Sequence, residues 1–150
     1  MLVEQLLSRA CERLAVVDAT ASIREAAELM SEPHTDLVIV CRDGVAIGIV
    51  TKTDIVMQVS RRPTVDLDGP VETVMTCDVT TCRSSDPLAD VWQMMKKRDF
   101  HRIPVVDEKL APIGIVYARE RFDKATLQRA FLDAAGFAAP HPAAASMFAD

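Results

Sequence analysis

Three short segments carry the side chains whose types and spacing could do chemistry. Thr51 and Asp54 stand three residues apart where the run Gly48-Ile49-Val50 gives way to a helix. A carboxylate there accepts two hydrogen bonds, enough for two vicinal hydroxyls. The free N–H groups of a helix start attract anions. His101 and Arg102 lead a second branched run, Ile103-Pro104-Val105-Val106, and Thr80 lies in the extended stretch before the helix that precedes it. A guanidinium offers a fixed fork of donors for a phosphate. Plainer uses exist for the same residues. Thr51-x-x-Asp54 is also a capping box, His101 a surface histidine, and Arg102 a solvated or ion-paired arginine. No nucleophile–base pair, metal motif or glycine-rich phosphate loop is visible, so binding is expected rather than catalysis.

The elements that must position these residues occur twice. Leu14 to Met30 aligns with Val79 to Met95 at a shift of 65 residues without a gap. Ile23, Ala26, Ala27 and Met30 fall on Leu88, Val91, Trp92 and Met95, both at amphipathic-helix spacing. Ser22 with Glu25 predicts a capping box, and Asp86-Pro87 an N-cap followed by the first helical residue. After one inserted residue, Asp36 to Val40 lies over Arg102 to Val106, each a strand-type run. Arg42-Asp43-Gly44 reads as a tight turn. Helices are predicted over about Asp54 to Arg62 and about Glu120 to Ala135, the second closed by Gly136.

Each half is thus strand, helix, strand, strand, helix. The fold class is α/β (α+β), with two βαββα repeats. One repeat leaves an apolar sheet face open, so the two are expected to close on each other as a pseudo-twofold pair. The division expected is residues 1–62 for the first repeat with an N-terminal helix, 63–70 for a linker, 71–136 for the second repeat, and 137–150 for a mobile Ala/Pro-rich tail.

Composition narrows the function classes. The 150 residues are 49% hydrophobic and 26% charged, as in a folded globular protein. Seventeen basic residues against 22 acidic give a net charge of −5, which argues against nucleic acid as a partner. The apolar run Val45 to Val50 is far short of the ~20 residues that span a bilayer, so no membrane role is expected. Without a visible export signal, Cys11, Cys41, Cys77 and Cys82 are expected as reduced thiols in a cytoplasmic protein.

The doubled motifs carry a resemblance over about residues 1 to 132. His-Arg-Ile-Pro-Val-Val-Asp, His101 to Asp107, and Gly-apolar-apolar-Thr-x-x-Asp, Gly48 to Asp54, resemble the CBS-domain family, here as a tandem pair or Bateman module. The resemblance implies a regulatory ligand sensor that binds AMP, ADP, ATP or S-adenosylmethionine between its repeats, needs no cofactor, and signals to a separate protein. A structural interaction module without a ligand is the alternative. By resemblance, Thr51 and Asp54 would meet the ribose. Thr80, Ile103 and Pro104 would line the base pocket, with His101 and Arg102 near phosphate. The second cleft reads as degenerate. Tyr117 and Glu120 replace the threonine and aspartate, and the facing segment Asp36-Leu37-Val38 offers an acid, which repels phosphate.

The resemblance also implies a homodimer formed through helices. The residues agree, because Met94 and Met57 fall outside the apolar stripes of Leu88/Val91/Trp92/Met95 and Ile55/Val56/Val59. The competing reading is that the N-terminal helix, with Leu2, Leu6 and Leu7, covers this surface within one chain.

Overall fold

The computed structural model describes residues 1–64 and 66–122, together with Gln128 and Leu132. In the first half, β1 (Val16–Asp18) runs parallel to β2 (Leu37–Arg42), and β2 pairs antiparallel with β3 (Val45–Thr51). The β2–β3 turn places Asp43 at φ 53° and Gly44 at φ 77°. Two successive left-handed residues match the twist of a two-stranded ribbon, which is why the Asp-Gly pair was legible as a hairpin. Between β1 and β2, α2 (Ile23–Leu29) starts on the expected capping box, Ser22 with Glu25. After β3 comes α3 (Lys52–Arg61).

The second half repeats this plan with α4 (Leu88–Arg98), β4 (Arg102–Val106) and β5 (Pro112–Tyr117). Its counterpart of β1 is reduced to one bridge. Cys82 pairs parallel with Val105, its N–H bonded to Pro104 O and its carbonyl to Val106 N–H. The α4 N-cap is Pro87, one residue later than expected, because Asp86 turns its carboxylate back to the Arg83 N–H at 2.8 Å. Beyond β5, a 3-10 turn spans Ala118–Phe122, Gln128 and Leu132 are helical, and Leu132 is buried. The rest of the expected last helix, with Gly136 and the tail, lies outside the described residues. No helix among the described residues is long and apolar enough to cross a membrane.

The N-terminal segment does not pack on the half that follows it. Val3 and Leu6, in a 3-10 turn (Val3–Leu6), lie among Leu88, Val91, Met95, Ile103, Val105 and Val116 of the second half. Val3 N–H donates to Asp86 O, Glu4 N–H to Ser84 O, and Leu88 N–H to Met1 O. The following helix α1 (Leu7–Glu12) presses Ala10 against Gly114 of β5. The first half is completed in the same way from the other side. Val71 joins Ala26, Met30, Val38 and Val40, its N–H bonded to Ala21 O at 2.7 Å, while Met75 and Thr76 cross Gly48 of β3. The halves therefore exchange the segments that precede them. On α4, Leu88, Val91 and Met95 pack with Val3 and Leu6 of the N-terminal segment. On α3, by contrast, Val56 and Val59 stay 64% and 56% exposed.

Cys41 and Cys82 are buried like small hydrophobes, whereas Cys11 and Cys77 are exposed. Burial, reinforced by the Asp86 charge, pushes the Cys82 thiol up to about 12, so it stays protonated at neutral pH.

The crossing at Gly114 has no room for a side chain. An added Cβ would lie 2.7 Å from Ala10 Cβ and 2.9 Å from the Ala10 carbonyl carbon. Gly114→Ala is expected to cost about 1–3 kcal/mol by overpacking. Calorimetry should show a melting temperature lowered by roughly 2–4 °C for each kcal/mol at this chain length. An unchanged melting temperature would mean that α1 is not seated on β5.

Candidate functional site

Thr51 and Asp54 form the expected capping box at the start of α3. Asp54 N–H donates to Thr51 Oγ1 at 3.2 Å, and Asp54 Oδ2 accepts from Thr51 N–H at 2.9 Å. The cap uses Oδ2 only, so the carboxylate keeps acceptor capacity at Oδ1. The antiparallel register sets Thr51 opposite Leu37. Next to it, the Lys52 N–H at the first turn of α3 donates to Asp36 O at 3.3 Å.

Asp36 is where the two halves meet. Arg102 Nη1 lies 2.9 Å from Asp36 Oδ1 and donates to Asp36 O at 3.3 Å. The sequence reading placed Arg102 beside phosphate in one cleft and Asp36 as an unmatched acid in the other. They are instead partners across the seam, and each neutralises the other. Half-exposed pairs of this kind contribute about 0–1 kcal/mol, so their main effect is to fix which groups face one another.

Tyr117 closes the seam on the other side. It is 5% exposed and packs with Leu37, Ile39, Cys41 and Ile115. Its hydroxyl donates to Asp36 Oδ1 at 3.2 Å. Burial, and then the Asp36 charge, push that hydroxyl above the usual tyrosine range. The Arg13 and Arg119 guanidiniums stand 4.8 and 4.7 Å from the ring centroid, at cation–π distance. Glu120, 2% exposed, accepts from Tyr117 N–H at 3.0 Å and pairs with Arg13 at 2.5 Å. Glu120 thus takes the strand-end N–H that Asp54 takes in the first half. The short polar residue was replaced, but the backbone bond was kept.

A cavity of about 170 Å³ opens between the halves. Ile39, Ala46, Ile47 and Gly48 wall it on one side, and Cys77, Val79, Thr81, Pro104, Val106 and Leu110 on the other. Of the expected site residues, Pro104 alone lines it. Thr80 points elsewhere and accepts from Arg98 Nη1 at 3.1 Å. Ile103 and Val38 face away from the seam, Ile103 into the α4 core and Val38 into the α2 core. In a strand, successive side chains alternate faces, and both residues fall on the inward phase. His101 is 74% exposed, 4.0 Å from Asp99. It borders a separate hollow of about 190 Å³ with Trp92, Met95, Lys96 and Phe100. Arg13, Arg119 and Thr81 were not anticipated. Arg13 reaches Glu120 across 107 positions of sequence, a contact that no local pattern announces.

Comparisons with known proteins agree with the doubled architecture. The CBS domain family model matches residues 3–61 and again 71–122. An "Uncharacterized 17.7 kDa protein in bps2 3'region" of Acidianus ambivalens is 33% identical over 125 residues, 83% of this chain and 71% of that one. A homoserine O-acetyltransferase of Methanococcoides burtonii is 35% identical over 106 residues; the match covers 70% of this chain but 21% of the enzyme's length. Among solved structures, a CBS domain protein of Pyrobaculum aerophilum complexed with AMP superposes with a TM-score of 0.72 at 23% identity, covering 86% of this chain and 97% of that one. The CBS domain pair of protein MJ0100, in complex with 5'-methylthioadenosine and S-adenosyl-L-methionine, gives 0.67 at 23% identity, covering 89% and 98%.

The buried carboxylate of Glu120 depends on Arg13. Among the described residues, Arg13→Ala would leave that charge with the Tyr117 backbone N–H alone, and removing one partner of a buried pair typically costs about 3–5 kcal/mol. Urea unfolding at neutral pH should show a clearly lower midpoint at unchanged slope. A midpoint within error of the parent would mean that Glu120 is held without Arg13.

Proposed function

The chain belongs to the CBS domain family, and from that premise we propose that it is a cytoplasmic regulatory module, without catalysis of its own, that binds an adenosine-containing small molecule between its two repeats and signals to a partner protein. The observation that carries this reading is the cavity between the halves, walled on one side by Ala46, Ile47 and Gly48 of β3, the strand that ends at Thr51. Its volume is below the roughly 300 Å³ of a drug-sized site. It therefore suits a flat part of a ligand, such as its base, rather than the whole molecule. Branched walls from Ile39, Val79 and Val106, with Pro104, fit an apolar ring face. In this reading Asp54 Oδ1 accepts from a ribose hydroxyl while Oδ2 holds the Thr51 N–H at the helix start. The AMP, 5'-methylthioadenosine and S-adenosyl-L-methionine held by the two structural relatives support the adenosine class. AMP, ADP, ATP and S-adenosylmethionine are the candidates.

A scaffold that binds no ligand is the second reading. It is favoured by one observation, that Arg102 is already neutralised by Asp36. A thermal-shift screen over these compounds separates the two readings, since a ligand specific for the folded state raises the melting temperature by mass action. A positive result also sets up the residue test. Asp54→Ala removes charge-assisted bonds worth about 1.5–3 kcal/mol, so calorimetric affinity should fall at least tenfold. Asp54→Asn, which keeps a capping acceptor, controls for the helix start. Unchanged affinity in Asp54→Ala would remove Asp54 from the site.

The same reading includes a homodimer. Val56 and Val59 lie one helical turn apart on α3, apolar and open to solvent, and a twofold contact is the commonest way to cover such a stripe. Light scattering at micromolar concentration should give about twice the 16.5 kDa of one chain, and Val56→Glu should return it to that value. A wild-type mass near 16.5 kDa would refute the dimer.

A further inference from the structure

We propose that Tyr117 is the resident occupant of the second cleft and limits the chain to one adenosine ligand; this rests on the ligand-binding reading above. The frame of the two clefts is the same. Thr51 and Tyr117 each end the second strand of a hairpin, opposite Leu37 and Arg102 respectively. Each is followed three residues later by an acid whose carboxylate accepts the strand-end N–H, at 2.9 Å from Asp54 and 3.0 Å from Glu120. What differs is the side chain. Thr51 is short and half-buried, with no ring to occupy its side of the seam. Tyr117 instead fills its side.

The ring makes the contacts that a bound heterocycle would make. Branched apolar side chains, Leu37, Ile39 and Ile115, surround it in the seam. Its polar end donates to the Asp36 carboxylate, and two guanidiniums stand against its π system. Arg13 ties the plug down a second time by pairing with Glu120. Among the described residues, Arg13, Arg102 and Arg119 stand around the ring against Asp36 and Glu120, a formal balance of +1. With the ring removed, the space therefore has the charge to take an anionic ligand, contrary to the expectation drawn from Asp36 alone.

Tyr117→Thr reproduces the small hydroxyl of the intact copy. Isothermal titration with AMP, and separately with S-adenosylmethionine, should give a stoichiometry near one for the wild type and near two for Tyr117→Thr, with circular dichroism confirming the fold. Tyr117→Val, a better strand former, replaces the threonine variant if that one unfolds, with the same expectation. A folded variant that still binds one ligand, or a wild type that binds two, would overturn the inference. If the wild type binds neither compound and the variant binds one, the plug stands and the first-cleft reading falls. If neither protein binds either compound, the plug falls as well.

Discussion

Two close backbone crossings hold this architecture together. At Gly48 the chain of Met75 and Thr76 passes over β3, and at Gly114 the α1 helix passes over β5; in both places a Cβ would meet atoms at 2.6–2.9 Å. Only glycine lets the segments approach so closely. Each crossing delivers an apolar side chain to a half that lacks it. Leu6 and Val3 go under α4, and Val71 goes under α2. Burying side chains of this size contributes about 1.5–3 kcal/mol each, and neither half can keep that contribution if the other is removed. The pair is one folding unit made from two copies, and the seam between them is fixed by exchange rather than by surface complementarity alone.

Once the seam is fixed, its two sides diverge by a few side chains. The strand-end cap survives in both copies, because an unpaired N–H there would be costly. Threonine with aspartate performs it in one, and a glutamate behind a tyrosine in the other. The larger ring then needs walls and counter-charges, which Leu37, Arg13, Arg119 and Asp36 supply. Asp36 is common to both sides. Its carbonyl accepts the Lys52 N–H that begins α3, while its carboxylate holds Arg102 and the Tyr117 hydroxyl. A change on one side of the seam is thus felt on the other through a single residue.

The repeat, the hairpin turn and the capping boxes of Ser22 with Glu25 and Thr51 with Asp54 were legible because each depends on residues close in sequence. The exchange was not. The N-terminal helix read as an addition to the first half because its amphipathic pattern says which face is buried but not against what. Val38 and Ile103 were misdirected for a different reason. The strands β2 and β4 are buried on both faces, so their composition carries no alternation from which to read a phase. Thr80 and Thr81 pose the same problem in an extended segment, where one residue of phase decides which hydroxyl meets the cavity. Local chemistry was therefore recoverable, while facing and partner were set by packing.

The segment from Met75 to Thr81 joins these observations. At its start it crosses Gly48 and bridges Ile49, exchanging hydrogen bonds between Thr76 and Ile49 in both directions at 2.8 and 3.0 Å. Its Cys77, Val79 and Thr81 then wall the cavity, and one residue later Cys82 enters the second sheet beside Val105. A ligand seated against this wall touches a strip of chain that is anchored in the first half at one end and in the second at the other. Any preference of the ligand for one position of that strip is then a preference for one relation between the halves. A small molecule can shift a conformational equilibrium only by its difference in affinity for the two states. Here the difference would act on the exchanged segment itself, the element on which both halves depend. The α1 helix is its counterpart on the other side, with Ala10 seated on Gly114 and Arg13, just beyond the helix end, already engaged with Tyr117 and Glu120. On that side the contacts a ligand would offer are made by the chain. If the first cleft binds as proposed, the asymmetry of the clefts leaves one crossing held by the chain's own contacts and one that a ligand would bias.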